Sequence, residues 1–301
     1  MNKLIFATRP SNLARWQTNY VISLLQIAVP DLVCEEHVIT TRGDKVLDKP
    51  LPEIGGKGLF TQELEAELLA GSVDVAVHSL KDLPVEDSPG LTVGAVPLRE
   101  DPRDVLVCPA GYSLDSLPQG AVVGTSSLRR QAQILHHRPD LQIKSIRGNV
   151  ETRIRKVEEG QYDAAVMAAA GLTRLGLESH IASYLPYARM LPAPGQGALG
   201  IQCRAGDTRV QTFLEILNDI DTARAVKAER AFLMALGGGC SIPVGAYAWV
   251  ENQTIHMNGL VIATNGSQKI EVSGIGQVPQ ALGEELARQA LQQGAREVLN
   301  G

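Results

Sequence analysis

The chain has 301 residues, of which 44% are hydrophobic and 20% charged, so its length suits two or three domains and long disordered stretches are not expected. Its 28 basic and 33 acidic residues give a formal net charge of −5, which argues against a nucleic-acid-binding protein because such proteins usually present a basic face. The apolar runs are too short for a signal peptide or a membrane span, and the four scattered cysteines form no C-x-x-C pair. We therefore predict a cytoplasmic protein with no membrane partner, no nucleic-acid partner and no metal.

Short apolar runs alternate with helical patterns over the first two thirds of the chain. A first series predicts helices after Ser11 and over Leu59–Leu69, and strands over Leu4–Ala7, Val33–Thr40, Val73–Val77 and Leu91–Val96. A second series predicts helices over Ser127–Leu135, Val150–Glu159 and Leu172–Leu175, and strands over Val105–Val107, Ala121–Gly124, Ile143–Ile146 and Ala164–Ala168. Buried strands separated by helices favour mostly parallel sheets with crossover helices.

The last third of the chain begins with the same pattern and then changes. A strand is predicted over Ala198–Gln202, followed by a helical stretch from Asp207 to Leu236 with a break near Asn218–Asp221. A small α+β domain is then predicted from a final helix over Gln280–Leu299 and from strands over Gly245–Val250, Ile255–Val261 and Ile270–Gly274. The fold class is thus α/β, with two doubly wound domains and a smaller C-terminal domain, and a ligand is expected between the lobes.

Basic and hydroxyl residues follow several predicted strands directly. Because helix N-termini favour anions and guanidinium matches carboxylate in a two-pronged fork, these loops predict an anion site. Arginines in a first helical turn oppose the helix dipole by a few tenths to about 1 kcal/mol each, so a counter-charge should offset them. That charge is either a bound carboxylate or phosphate, or an ion pair with a nearby acid. Five arginines in such loops favour a ligand site. The residues concerned are Arg9, Ser11, Thr125, Ser127, Arg129, Arg130, Arg147 and Arg153.

Lys81 and Asp82 end a predicted buried strand just before Pro84. An aspartate among cations could stay ionised and stabilise a cationic intermediate or hold a positively charged amine. The alternative is that Asp82 caps a turn or pairs with Lys81. His78 lies within the strand, where a hydrogen-bonded core histidine is the expected role.

Two glycine-rich segments carry reactive side chains. The segment Gly55–Phe60 contains Lys57 but lacks the G-x-x-x-x-G-K-[ST] spacing of a phosphate loop, so a mobile lid over 44–58 is the better interpretation. Cys240 follows three glycines, which would let a ligand approach its thiol closely. A buried hydrophobic role suits the other three cysteines better than Cys240.

Nine stretches together resemble the porphobilinogen deaminase (hydroxymethylbilane synthase) family. They occur in the family's order and extend over nearly the whole chain, so the set is highly specific although each member is weak. The stretches are ATRPSNLA, TRGD, GGKGLF, HSLKDLP, REDPRD, GTSSLRRQ, RGNVETR, LPAPGQGALGIQCR and GGGCSIPVGAY, between Ala7 and Tyr247.

The resemblance implies a fold and an activity. Two domains would resemble class II periplasmic binding proteins, with domain 1 over 1–98 and 193–217, domain 2 over 99–192, and the C-terminal domain over 218–301. Such an enzyme of tetrapyrrole biosynthesis condenses four porphobilinogen molecules head to tail on a dipyrromethane cofactor. It releases ammonia each time, hydrolyses the product to hydroxymethylbilane, and would be a monomer.

The resemblance also implies residue roles. Cys240 matches the cysteine that holds the cofactor through a thioether, and Asp82 matches the catalytic aspartate. Lys57 and Phe60 match the lid. Positions that bind the carboxylates of cofactor or substrate are matched by Arg9, Ser11, Lys81, Thr125, Ser127, Arg129, Arg130, Arg147, Arg153 and Gln196.

Two other classes of protein remain as alternatives. A non-enzymatic anion-binding protein could share the two-lobed fold, but it would not need a third domain with an accessible cysteine. A nucleotide-using transferase would need the phosphate loop that this sequence lacks.

Overall fold

A computed structural model of the chain describes residues 3–45, 58–86, 88–238 and 242–300. In chain order the strands are β1 (Lys3–Thr8), β2 (Val33–Val38), β3 (Val75–Ser79), β4 (Leu91–Ala95), β5 (Asp104–Val107), β6 (Val122–Gly124), β7 (Gln142–Lys144), β8 (Ala164–Ala168), β9 (Ile181–Tyr184), β10 (Leu199–Arg204), β11 (Val244–Glu251), β12 (Thr254–Ile262) and β13 (Lys269–Gly276). Within these ranges the helices are α1 (Asn12–Ala28), α2 (Arg42–Lys45), α3 (Gln62–Ala70), α4 (Leu128–His137), α5 (Val150–Glu158), α6 (Ala169–Arg174), α7 (Thr208–Glu215), α8 (Ile220–Ala235), α9 (Pro279–Gln292) and α10 (Ala295–Asn300). None of these helices is long and apolar enough to cross a membrane.

The strands form three sheets, which define three domains. The first domain has the order β2-β1-β3-β10-β4, the second has β7-β6-β8-β5-β9, and the C-terminal domain has β11-β12-β13. The fold class predicted from the sequence, α/β with two doubly wound domains and a small C-terminal α+β domain, is confirmed.

The expectation of mostly parallel pairing is only half correct. In each five-stranded sheet four strands point the same way, but β10 and β5 are antiparallel to both of their neighbours. These two strands directly follow the segments that cross between the domains. The chain therefore enters each sheet from the opposite end, and β10 returns to the first sheet after the second is complete.

Polar caps begin most of the longer helices. The side chains of Ser11, Ser127, Asn149, Asp207 and Asp219 each accept a hydrogen bond from a backbone N–H three residues later. Such caps satisfy N–H groups that have no partner within the helix. The predicted cap at Ser11 and the predicted break before α8 are both confirmed.

Each domain has its own apolar core, and α8 organises the third. Phe232 of α8 is fully buried against the three-stranded sheet, where a Cβ at Gly259 would lie 2.7 Å from its ring. Gly283 lets α9 approach α8 closely, since a Cβ there would lie 2.7 Å from the Phe232 backbone nitrogen. Only glycine fits at these two contacts.

Two crossing segments, 96–103 and 185–198, join the first and second domains and lie side by side. The Glu100 N–H donates to the Gly197 carbonyl at 3.2 Å, and the Arg174 guanidinium donates to the same oxygen at 2.6 Å. Gly197 has a φ of +86°, and a Cβ there would collide with the Glu100 carbonyl oxygen. The crossing thus requires glycine.

Three local predictions differ from the structure. The edge strand β9 was not predicted, because IASY is short and partly exposed. The predicted strand Ile143–Ile146 is instead β7, since the Ile146 carbonyl leaves the ladder and accepts from the Ser126 hydroxyl at 2.8 Å. The predicted final helix breaks into α9 and α10 at Gly294, which has a φ of +95°.

Candidate active site

A 3₁₀ turn over Leu80–Asp82 directly follows β3 and presents two of the predicted site residues. Its first N–H donates to the Ala198 carbonyl at 3.0 Å, and Leu80 is buried. Asp82 is exposed, whereas Lys81 is half-buried and donates from Nζ to Gln196 Oε1 at 3.3 Å. The turn therefore places an ammonium and a carboxylate side by side where β10 returns to the first sheet.

Asp104 lies fully buried at the start of β5 and gathers three predicted site residues around it. Its carboxylate accepts from Arg129 Nη1 at 2.7 Å, from Arg130 Nε at 3.0 Å and Nη2 at 2.7 Å, and from Gln196 Nε2 at 2.9 Å. Burial alone would raise the pKa of Asp104, but the two guanidiniums lower it far below its usual range. Burial lowers the pKa of Arg129.

This arrangement decides one question that the sequence left open. Asp104 supplies a counter-charge that the two arginines in the first turn of α4 share, which leaves one excess positive charge among the three residues. Arg129 also keeps a buried Nε without a hydrogen-bond partner among the described residues. The binding of ligand carboxylates by Arg129 and Arg130 stays a prediction.

Two more arginines of the second domain belong to this group of charges: Arg153 feels the charges of both Asp82 and Arg147. Arg153 donates from Nε to the Gly148 carbonyl at 2.8 Å. Burial, with the like charges of Arg130 and Arg147, lowers the pKa of Arg153 to about 10, and the Asp82 carboxylate opposes that shift. Burial also lowers the pKa of Arg147. Asp82 of the first domain therefore lies within electrostatic reach of Arg153 of the second, and Gln196 links the two sides through Lys81 and Asp104.

Lys81 is affected by the same group of charges. Its pKa is lowered to about 8, because burial and the like charges of Arg130 and Arg129 outweigh the carboxylates of Asp82 and Asp104. We call this set the cationic junction. It consists of Lys81, Asp82, Asp104, Arg129, Arg130, Arg147, Arg153 and Gln196.

The predicted hydroxyl residues are used locally as helix and turn caps. Ser11 Oγ accepts from the Ala14 N–H at 3.3 Å, and Ser127 Oγ accepts from the Arg130 N–H at 3.4 Å. Thr125 Oγ1 accepts from the Ser127 N–H at 3.1 Å. Each hydroxyl retains its own proton, so a cap can still donate to an anion.

Arg9 forms a separate pair beside the lid segment. Its guanidinium is ion-paired with Asp44 and lies 4.2 Å from the centroid of the Phe60 ring. Burial raises the pKa of Asp44, but Arg9 and Thr41 lower it overall. Arg9 thus contacts one residue that precedes segment 46–57 in the sequence and one that follows it. Lys57 and Cys240 lie outside the described residues.

Two further residues complete the comparison with the sequence. His78 is buried with Nε2 3.2 Å from Gln202 Oε1, and burial lowers its pKa to about 4, which confirms the predicted core role. Asp104 was not predicted as a site residue. An acid as the first residue of a buried strand, directly after Arg103, was the signal that could have identified it.

A groove between the first and second domains was also not predicted from the sequence. It has a volume of about 620 Å³, lies between α1 and α6, and is lined by Asn12, Arg15, Trp16, Asn19, Thr173, Arg174, Leu175 and Gly176. It shares no residue with the cationic junction. We place the candidate site at the junction because acids and bases from both domains converge there.

The fold and the junction together indicate a protein that binds a small anionic molecule between two α/β domains. Cations of two α/β domains outnumber the acids between them, so the site suits a small molecule that carries several carboxylates. Within the described part of the chain, no group of three histidine, cysteine or acidic residues could hold a metal ion.

Comparison with known proteins gives the particular family. Residues 4–212 match the model "Porphobilinogen deaminase, dipyromethane cofactor binding domain", and residues 223–292 match "Porphobilinogen deaminase, C-terminal domain". The porphobilinogen deaminase of Brevibacillus brevis is 51% identical over 300 residues, which cover 99% of this chain and 97% of that protein. That of Syntrophotalea carbinolica is 52% identical, covering 98% and 95%. The chain belongs to the porphobilinogen deaminase family, enzymes of tetrapyrrole biosynthesis with a dipyrromethane cofactor.

Solved structures with a similar fold are more distant. The VFT2 domain of Bordetella pertussis BvgS (a double mutant) has a TM-score of 0.44 and 19% identity, covering 76% of this chain and 92% of that one. The effector-binding domain of a BenM variant has a TM-score of 0.43 and 14% identity, covering 72% and 93%.

Proposed function

We propose that the chain condenses four porphobilinogen molecules head to tail on a dipyrromethane primer attached to Cys240, with Asp82 as the catalytic acid and base. Each condensation releases ammonia, and hydrolysis frees hydroxymethylbilane. The observation that carries the proposal is the cationic junction. There Lys81 and Asp82 of the first domain lie within electrostatic reach of Arg130 and Arg153 of the second.

The charges of the junction fit a cofactor and a substrate that carry several carboxylates. Porphobilinogen has an acetate and a propionate, so negative charges accumulate as the chain lengthens. Burial and mutual repulsion lower the pKa of Arg153, and a carboxylate between it and Arg147 would relieve both effects. The buried Nε of Arg129, which has no hydrogen-bond partner in the described part of the chain, is a donor that an anion could use. When bound, the cofactor supplies the pyrrole end to which the first substrate is joined.

The roles of the chain's own residues follow from their positions. Asp82 stabilises positive charge on the pyrrole nitrogen as ammonia leaves, and then accepts the proton that the pyrrole carbon loses. Lys81 and the arginines hold the carboxylates, which fixes the reacting rings next to Asp82. Gln196 orients Lys81, because its amide oxygen accepts from that ammonium while its nitrogen donates to Asp104.

We also propose the domain limits and the setting of the enzyme. The segment 193–217 would belong with 1–98, which is supported by the position of β10 in the first sheet. We propose a cytoplasmic monomer without a nucleic-acid partner. The net charge of −5 argues against a nucleic-acid partner. The free thiols of Cys34, Cys108 and Cys203 fit the reducing cytoplasm.

The test combines intact mass with turnover. We expect wild type and Cys34→Ser to carry an excess mass of two linked pyrrole units, and Cys240→Ser to carry none. Asp82→Asn should load the cofactor yet lose roughly 10²–10⁴-fold in turnover of porphobilinogen. As a control, Asp115→Asn, which alters an exposed acid paired with Arg189 at 3.5 Å, should behave as wild type. Near-normal turnover of Asp82→Asn would remove Asp82 from the mechanism.

A further inference from the structure

An arginine of the C-terminal domain reaches the turn that carries Asp82. Arg230 of α8 donates from Nη1 to the Leu83 carbonyl at 3.1 Å and to the Leu80 carbonyl at 3.4 Å, and from Nη2 to the Pro84 carbonyl at 2.6 Å. These oxygens belong to the 3₁₀ turn and to the two residues that follow it. One guanidinium therefore joins α8 to the backbone on both sides of Asp82.

The turn needs such a partner because it is short. Within the turn, the Leu83 N–H donates to the Leu80 carbonyl at 3.2 Å, and the carbonyls at a helix C-terminus have no intrahelical donor. A cation at that end also complements the dipole of the turn. The planar fork of arginine holds five donors in a fixed geometry that spans several carbonyls, whereas the ammonium of lysine is a compact group with three rotatable donors.

The segment 195–200, which leads into β10, packs closely against the same turn. A Cβ at Gly195 would lie 3.3 Å from Leu80 Cγ and 3.4 Å from the Lys81 nitrogen, and a Cβ at Gly200 would lie 2.8 Å from Leu80 Cδ1. The turn thus has close contacts with this segment and hydrogen bonds from Arg230. If one support is lost, the backbone that carries Asp82 gains room to move.

The neighbouring residue on α8 holds both crossing segments. Glu229 is fully buried and accepts from Arg99 Nη1 at 2.7 Å and Nη2 at 3.1 Å, from the Gly195 N–H at 2.7 Å, and from the Ala248 N–H at 2.8 Å. Because Glu229 anchors α8 against the crossing segments, the position of Arg230 relative to the turn is fixed.

We propose that Arg230 is a positioning residue for the reaction: it fixes the turn over Leu80–Asp82 and, through it, the Asp82 carboxylate relative to the cations of the second domain. This inference rests on the proposed role of Asp82. It makes the C-terminal domain a determinant of acid–base geometry in addition to its predicted role as the bearer of Cys240.

The experiment compares Arg230→Ala and Arg230→Lys with Arg224→Ala. Arg224 lies on the same helix and also donates to two backbone carbonyls, of Gln253 at 2.8 Å and Gln277 at 3.1 Å, but both belong to its own domain. Cofactor-loaded enzymes are assayed for kcat and KM with porphobilinogen. Hydrogen–deuterium exchange is measured over 79–86.

We expect Arg230→Ala to lose roughly 10²-fold in kcat with little change in KM, since a misplacement of about 1 Å costs that much. Arg230→Lys should recover part of the kcat that Arg230→Ala loses. Of the three variants, only Arg230→Ala should show faster hydrogen–deuterium exchange over 79–86. Wild-type kcat in Arg230→Ala, or an equal loss in Arg224→Ala, would overturn the inference. If wild type itself does not consume porphobilinogen, the proposed function fails, whereas unchanged exchange over 79–86 in Arg230→Ala defeats the positioning role independently.

Discussion

Replacing Asp104 with asparagine removes the charge that Arg129 and Arg130 share while keeping the shape of the side chain. Both arginines are less than a tenth exposed, so neither can reach water without rearrangement. The buried group of Asp104, Arg129 and Arg130 has one excess positive charge in wild type and two in the variant. Loss of one partner from a buried ion pair costs about 3–5 kcal/mol, and we expect Asp104→Asn to lower the free energy of unfolding by that amount.

Urea unfolding at several pH values measures how much Asp104 contributes to the free energy of unfolding and in which direction that contribution changes with pH. The folded pKa of Asp104 is lowered, so its carboxylate stays ionised at a pH where the unfolded chain is already protonated. Its stabilising contribution is complete above about pH 4 and is lost as the pH falls through the folded pKa. The difference in the free energy of unfolding between wild type and Asp104→Asn should therefore be constant from pH 5 to 8 and should become smaller below pH 4.

Two further variants make the comparison specific. Asp115→Asn breaks an exposed pair and should cost about 0–1 kcal/mol. Adding Arg129→Met to Asp104→Asn removes one uncompensated cation, and should recover part of the loss through a coupling of about 0.5–3 kcal/mol. A loss below 1 kcal/mol in Asp104→Asn, or a gap that widens in acid, would refute the view of Asp104 as the counter-charge.

Two other predictions concern the crossing segments. Arg99→Met leaves the buried carboxylate of Glu229 uncompensated and should cost about 3–5 kcal/mol in urea unfolding, against about 0.3–0.5 kcal/mol for Arg155→Ala, which breaks an exposed i,i+4 pair. Equal effects would show that Glu229 finds other partners. Gly197→Ala combines a positive φ with a backbone collision and should cost about 1–3 kcal/mol more than Gly176→Ala, where φ is +67° but no atom lies within 4 Å. Equal melting temperatures of the two glycine variants would contradict the close crossing.

Most of the fold could be predicted because it depends on local patterns. Buried strands such as Ala164–Ala168 are continuous apolar runs with clear limits, and helices such as α4 begin at polar caps that the sequence displays. The reversed directions of β5 and β10 could not be predicted. Strand direction there depends on which side the chain enters the sheet from, and no local pattern encodes that.

The sequence pointed to seven of the eight residues of the cationic junction but not to their pairings. The strand-to-helix loops identified the cations, since that position in a sequence is local. The partner of Arg129 and Arg130 lies about 25 residues earlier, and Gln196 reaches the same carboxylate from 92 residues away. The sequence therefore left two sources for the counter-charge open, and only the three-dimensional contacts decide between them.

The pairings divide the arginines into two functional layers. Arg129 and Arg130 are committed to Asp104 and hold β5, α4 and Gln196 together, so much of their charge is already compensated before any ligand arrives. At Arg153, by contrast, burial and the like charges of Arg130 and Arg147 lower the pKa, and the opposing carboxylate is the exposed Asp82 rather than a buried ion-pair partner. A polycarboxylate gains most where the protein's own compensation is least, so ligand binding should depend on the second layer and folding on the first. Substitutions of Arg153 should accordingly affect KM more than stability, and those of Asp104 the reverse.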